Sequence, residues 1–527
     1  MLSKISHRVA RLQARKCMVQ ASAKGFADQS TTDIRASTGE DYGITSRDSF
    51  LQFSKAPILS NFGELPFGEI PEPLKYVRPF EMTTLSNGIR VCTESWKTGL
   101  ASVNVFVGSG SRQEAGLDGS GSANLTRRML KQGTSKRTRD ELATDLSNLG
   151  GGFNSWTCRE STGLTLQVLA GQAGNAVELL GDMVANSQFN DAQVEVEKEA
   201  LSSDFESSVN NRLNVTLENA HFNAYREHMM GQPREGDRDN VASLTGDAVR
   251  DYYSANFYGD NIVVVATGNV SHNEIVDQVE QHFSSVQKNS SQPRNNTEKS
   301  VFSPAVLNIR DDEMVNSNVG IFYDAPGWGD EDFYAFQLLK HVFGDYSIDR
   351  NAGHLNDVQK QYNALHSMLG DLPDVTMARS FYMPYSDCGL FGNYFFGNEV
   401  FTRQMNYVGM AMPTVYGHYF TDVEVFRARN SLYNELLQQE SSNDVAREIG
   451  TQVLNTGRRV PRSEVAKRVA HMDNYHMRHL CYNWFYDAEP SITNWGPIEA
   501  VSQVGSYKYF KIHTMSTVSN AHHALYC

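Results

Sequence analysis

Long hydrophobic runs are missing from this 527-residue sequence. The longest, "IVVVATG" at 262–268, falls far below the roughly 20 apolar residues that a membrane-spanning helix needs. Any membrane association is therefore expected to be peripheral and to come through partners. A basic surplus is missing as well. Lys and Arg number 47 against 61 Asp and Glu, a formal net charge of −14, which argues against a broad nucleic-acid surface and predicts no nucleic-acid partner. Paired cysteines are absent. Cys17, Cys92, Cys158, Cys388, Cys481 and Cys527 lie far apart with no C-x-x-C among them, so they read as free thiols in a reducing compartment, not as a disulfide frame or a zinc knuckle. No G-x-G-x-x-G or P-loop sits between a strand and a helix, and there is no C-x-x-C-H. No cofactor is expected on this chain. The glycines at 150–152 follow a helix instead of opening one and read as a C-cap and turn.

Acids are missing from the first 27 residues, which carry Lys4, Arg8, Arg11, Arg15, Lys16 and Lys24. A helix from Leu2 to about Val19 would set Ile5, Val9 and Leu12 against arginines on the opposite face. Residues 1–27 are read as a mitochondrial presequence, with a plain basic tail as the alternative. Residues 28–80, rich in Ser, Thr, Gly, Pro and acids, are read as an irregular N-terminal extension.

Regular structure is predicted from near Met82. Asn87-Gly88 lies between extended runs, a strong hairpin signal. Residues 101–111 alternate Val103, Val105 and Val107 as a strand would, and residues 121–134 read as a helix closed by Gly133-Thr134. Thr138-x-x-Glu141 is a capping box ahead of Leu142, Leu146 and Leu149. Strands are expected near 162–170 and 261–270, helices over 173–188 and about 191–230, and a helix capped by Ser271-x-x-Glu274. Residues 286–300 are polar, contain Pro293, lack an apolar period and read as a linker. The order then begins again, with strands near 305–326 and 389–397, helices over 330–343, 400–455 and 462–486, and a closing strand "SITNWGP". The length is too great for one ordinary core. The predicted class is α+β with two homologous domains, residues 81–285 and 301–527, each an antiparallel sheet with helices packed on one face.

The helix "GSANLTRRMLKQGT" poses the functional question. Asn124, Arg127 and Arg128 fall at i, i+3 and i+4 and share one face. That spacing builds a metal site when the residues are His, Glu and His. Here they are an amide and two guanidinium groups. His471, His476 and His479 share a helical stretch without an accompanying Cys or Glu pair, and read as a surface or interface helix. His221 and Glu227-His228 show no ligand spacing.

Several stretches resemble one known family: "LSNGIRVCTES", "GSGSRQE", "DNVASLTGDAVRDYYSANFYGDNIVVVATGNVSHNEIV", "YSDCGLFGNYF" and "ESSNDVAREIGTQVLNTGRRVP". The chain is similar to the pitrilysin-type (inverzincin) metallopeptidases over about residues 82–500. The similarity is greatest to the branch that holds processing-peptidase β subunits and core 1-type subunits of cytochrome bc1 complexes. The glycine-rich loop of processing-peptidase α subunits has no counterpart in "FGDYSIDRNAGHLND". Active members carry H-x-x-E-H and a further glutamate downstream. The resemblance places Asn124 and Arg128 at the histidine positions, Arg127 at the general-base position, and Asp204, with Glu197 nearby, at the third ligand. Arginine has no lone pair for zinc and stays protonated, so no metal and no catalytic residue are expected. Arg127 and Arg128 then form either a solvated basic face or, for Arg128, an ion pair with Asp204 or Glu197 in place of zinc. A tyrosine that steadies the substrate in active members falls near Ala378.

The resemblance implies a non-catalytic, core 1-like subunit of mitochondrial ubiquinol–cytochrome c reductase, a scaffold on the matrix side of the inner membrane. Its implied partners are a core 2-type homologous subunit and the membrane subunits of a dimeric cytochrome bc1 complex. The alternative is a non-zinc-binding subunit of the mitochondrial processing peptidase that helps bind presequences.

Overall fold

The computed structural model describes residues 70–499, apart from 209, 349–362, 371, 373, 415, 416, 418, 439 and 440. The expected presequence, most of the N-terminal extension, and Cys17 and Cys527 lie outside the described residues. The first hairpin forms where Asn87-Gly88 predicts it. Gly88 takes φ +87°, which glycine adopts without steric cost, and its N–H donates to Leu85 O at 2.9 Å. Strand β1 (Phe80–Thr84) therefore returns antiparallel as β2 (Arg90–Ser95).

Four more strands complete the first sheet: β3 (Leu100–Val107), β4 (Gly152–Thr157), β5 (Thr162–Leu169) and β6 (Ile262–Gly268), in the order β1-β2-β6-β3-β5-β4. The second sheet holds β7 (Val306–Arg310), β8 (Asn316–Ala325), β9 (Asp345–Ser347), β10 (Val375–Pro384), β11 (Gly389–Asn398) and β12 (Ser491–Gly496), in the order β7-β12-β8-β11-β10-β9. With the edge strands β1 and β9 set aside, both read first-fifth-second-fourth-third along their own half of the chain. The repeated element order in the sequence is thus a repeated topology. Each sheet is antiparallel except for one parallel pair, β2 with β6 and β7 with β12. The last strand of each half enters between the first two and runs against the second, which makes it parallel to the first.

The main helices of the first half are α1 (Ser122–Met129), α2 (Arg139–Asn148), α3 (Ala173–Ala185), α4 (Asp191–Ser208), α5 (Arg212–Tyr225), α6 (Gly246–Asn256) and α7 (His272–His282). Those of the second are α8 (Phe333–Phe343), α9 (Thr402–Thr414), α10 (Asp422–Gln438), α11 (Ser442–Thr456), α12 (Arg462–Ala470) and α13 (Asn474–Phe485). The capping box of α2 closes as read: Thr138 N–H donates to Glu141 Oε2 at 2.8 Å, and Glu141 N–H to Thr138 Oγ1 at 3.4 Å. The expected helix over about 191–230 is instead two, because Asn211 Oδ1 accepts from Asn214 N–H at 3.2 Å and starts α5 afresh. The stretches 400–455 and 462–486 break for the same reason, at Thr421, Ser441 and Asp473, each capping the next helix. Ser271 occupies the N-cap of α7 without a side-chain cap bond.

Strand β3 explains how the sheet is covered. Ala101, Val103, Val105 and Val107 face the core shared with α3 and α7, while Phe106, with Cys92, Val263 and Val265, points the other way. That second face is covered by Val445, Ala446, Ile449 and Val453 of α11, a helix of the second half. The loan is reciprocal: Ala220, Ala224 and Tyr225 of α5 pack with Phe322 and Leu390 of the second sheet and with Cys388 in the turn before β11. Each half keeps its own helices on one face, as expected, and receives one helix on the other. Gly450 permits the α11 contact, since a Cβ there would lie 2.3 Å from the Phe106 ring. Gly450→Ala is expected to destabilise by about 1–3 kcal/mol through overpacking, although alanine is the better helix former. Chemical denaturation measures it.

Candidate functional site

Helix α1 is anchored by its apolar face and presents its polar face to α4 and to β4. Leu125 and Met129 are buried with Val194, Leu201, Val241, Leu244 and Val249. Its start is fixed by Gly121, which takes φ +97° and whose Cβ would fall 2.4 Å from Val241. Glu114, in the "GSGSRQE" stretch, caps the helix: its Oε1 accepts from the N–H groups of Gly121 and Ala123, both at 3.0 Å. Burial pushes the Glu114 carboxyl up to about 8 against the opposing pull of those two bonds. A carboxyl raised in the fold gives stability that is complete below its ordinary value near 4.5 and is lost as pH rises through about 8. Glu114→Gln mimics the protonated acid. It is expected to flatten the decline in stability between pH 5 and 8, as read from melts across that range.

Asn124, Arg127 and Arg128 share the polar face, as their spacing predicts. On α4, Glu197 and Asp204 are seven residues apart, two turns, and so lie on one face toward α1. Arg128 joins them. Its Nη1 lies 3.2 Å from Glu197 Oε2 and its Nη2 donates to Asp204 Oδ2. Gln132 Nε2 donates to the other Glu197 oxygen. Of the two readings left open for Arg128, the ion pair is the one found. The Arg128 and Glu197 side chains are 13% and 7% exposed, whereas Asp204 is 59% exposed. The Glu197 arm is therefore the buried one.

Arg127 turns the opposite way. Its Nε and Nη2 donate to Asn124 Oδ1 at 3.2 and 2.6 Å, and its Nη1 to Ser155 O at 3.1 Å and Ser155 Oγ at 2.7 Å. Burial, reinforced by the neighbouring Arg128 charge, lowers its pKa to about 10, so it remains a cation at neutral pH.

This donor set does not fit zinc. The metal takes lone pairs from imidazole, thiolate or carboxylate. Two of the three helix positions are occupied by guanidinium groups, which only donate. The Asn124 oxygen is engaged by Arg127, and the two carboxylates are engaged by Arg128 and Gln132. Among the described residues, no three His, Cys, Asp or Glu side chains form a group that could hold a metal. His476 lies beside Asp473, and His479 accepts from Asn483.

Ala378 sits on β10 opposite Phe395 and Tyr346, buried in the core of the second half. That register position therefore turns into packing and offers no hydroxyl. Tyr385 has a different use. Its hydroxyl lies 2.6 Å from His221 Nε2, while His221 Nδ1 donates to Leu217 O at 2.7 Å. With Nδ1 carrying the hydrogen, Nε2 accepts from the tyrosine. Burial, with the nearby Arg159 charge, lowers His221 to about 3 and keeps it neutral. Arg159 lies alongside, bonded to Glu218 at 2.6 Å and to Met230 O at 3.0 Å.

A second junction between the halves is built on Arg112. It binds Asp387 with both terminal nitrogens, at 2.8 and 2.7 Å, and reaches Glu160 at 2.7 Å and Glu298 O at 2.8 Å. Neither junction was singled out from the sequence. The sequence offered their residues, Arg112 inside "GSGSRQE" and Tyr385 and Asp387 inside "YSDCGLFGNYF", but not their pairing.

Residues 90–238 match the insulinase family, peptidase family M16, and residues 243–409 match the peptidase M16 inactive domain. Over 441 residues the chain is 29% identical to the mitochondrial-processing peptidase subunit beta of Dictyostelium discoideum, covering 81% of this chain and 91% of that protein. It is 27% identical to the cytochrome b-c1 complex subunit 1 of Rattus norvegicus, over 82% of this chain and 89% of that protein. A chain of complex III2 from Candida albicans shares the fold, with a TM-score of 0.71 at 20% identity, covering 82% of this chain and 99% of that one.

Proposed function

The chain belongs to the M16 peptidase family, and from that premise we propose that it is a non-catalytic core subunit of mitochondrial ubiquinol–cytochrome c reductase. In this reading it is a scaffold on the matrix side of the inner membrane. It pairs with a core 2-type homologous subunit and rests against the membrane subunits of a dimeric complex. The observation that carries the proposal is the guanidinium-filled face of α1, where donors and an ion pair stand at the positions the family uses for zinc and its base. Likeness to the b-c1 subunit 1 proteins supports the assembly. Among the described residues no helix is long and apolar enough to cross a membrane, which fits attachment through partners.

Processing-peptidase relatives of similar identity favour a second reading, a non-zinc-binding subunit of the processing peptidase that helps bind presequences. The −14 formal charge would attract basic presequences. Mild detergent extraction followed by identification of the copurifying chains separates the two. Migration with a haem-containing membrane complex is the expected result. Recovery as a soluble two-chain peptidase would overturn it in favour of the second reading.

A further inference from the structure

Strand β4 is the outermost strand of the first sheet and pairs with β5 alone among the described strands. An open edge of this kind offers unpaired N–H and C=O groups to any extended chain. Which groups point outward follows from the ladder. At the turn that joins the two strands, Cys158 N–H donates to Ser161 O at 2.7 Å, so that pair is hydrogen-bonded. Hydrogen-bonded and non-hydrogen-bonded pairs alternate along an antiparallel ladder. Counting back through Thr157–Thr162, Trp156–Gly163 and Ser155–Leu164, the main-chain groups of Thr157, Ser155 and Phe153 face away from β5.

The Ser155 carbonyl, at the middle of that outward row, is taken. Arg127 Nη1 donates to it at 3.1 Å and to the Ser155 hydroxyl at 2.7 Å. The far side of the guanidinium is held by Asn124 Oδ1, at 3.2 and 2.6 Å. Arg127 makes no ion pair among the described residues, unlike its neighbour Arg128. Its hydrogen bonds all go to neutral acceptors on α1 and β4, while the charges of Glu197, Glu235 and Asp204 act on it from farther off. We propose that Arg127 is a stopper on the edge of the first sheet: its guanidinium occupies the outward carbonyl that an extended polypeptide would need in order to add as a further strand beside β4. An incoming strand would run about 4.8 Å from β4, in the space that the guanidinium fills, and would meet a fixed positive charge there. The inference concerns this edge alone and holds whichever assembly contains the chain.

The test uses the full-length protein and a fluorescent twelve-residue peptide of alternating threonine and glutamine, uncharged, as the strand probe. Binding is followed by anisotropy, and hydrogen exchange is read on fragments spanning residues 152–158. The wild-type protein is expected not to bind. Arg127→Ser is expected to bind at least tenfold more tightly, with new protection across β4. Should Arg127→Ser fail to fold, Asn124→Leu keeps the arginine but frees it from its rear support, and the same gain, smaller in size, is expected. Binding by the wild-type protein with protection of β4 would overturn the proposal. So would the absence of any gain in a folded variant.

Discussion

Arg128→Ala is expected to destabilise the folded chain by about 3–5 kcal/mol, the usual cost of stranding a buried charge. The loss falls on Glu197, whose side chain is 7% exposed and, among the described residues, would keep the Gln132 amide as its one hydrogen-bond partner. The Asp204 arm contributes little, because Asp204 is 59% exposed and water replaces the contact. Asp204→Asn is accordingly expected to cost less than about 1 kcal/mol. Removing both buried charges, as in Arg128→Met with Glu197→Gln, is expected to be milder than Arg128→Ala alone, since no uncompensated ion remains. Denaturant unfolding of the four proteins measures these differences. Equal losses in Arg128→Ala and Asp204→Asn would show that the buried arm is not the one that matters.

Arg112→Ala is expected to cost a similar 3–5 kcal/mol and to loosen the junction between the halves. The arginine is 5% exposed and joins Glu160 of the first half to Asp387 of the second. The effect has a pH signature. Burial alone would raise the Asp387 carboxyl, but bonds from Arg112 and from Ser300 N–H, together with the Arg112 charge, outweigh burial and hold it at about 2. A carboxyl lowered in the fold gives stability that is present above its ordinary value near 3.8 and is lost as pH falls through about 2. The wild-type protein is therefore expected to lose about 2 kcal/mol through this group across that window. Asp387→Asn is expected to be less stable at neutral pH and flatter in acid. Melts between pH 2 and 7 read both effects. An unchanged acid dependence in Asp387→Asn would remove the clamp from the account of stability.

Local chemistry was legible in the sequence. Asn87-Gly88 turns the first hairpin and Thr138-x-x-Glu141 caps α2, because each signal needs only neighbours a few residues apart. The site was legible for a related reason. Asn124, Arg127 and Arg128 share a face through helical spacing, and the resemblance supplied the distant register that put Glu197 and Asp204 opposite them. Breaks in the helices were harder to see, since Asn211, Ser441 and Asp473 interrupt patterns that stay amphipathic on both sides. Strand β4 was missed because "GFNSWT" carries a glycine and an asparagine, poor strand formers. The exchange of α5 and α11 between sheets could not be read at all. Periodicity shows that a helix has an apolar face, but not which sheet receives it. Arg112 with Asp387 and His221 with Tyr385 join residues 275 and 164 positions apart, beyond any local signal.

The metal content of the purified full-length protein probes the α1 site most directly. After equilibration with zinc and removal of loosely bound ions, elemental analysis is expected to find no stoichiometric metal. The triple variant Asn124→His, Arg127→Glu, Arg128→His is expected to retain more. Tightly held zinc at one ion per wild-type chain would contradict a site filled by arginine.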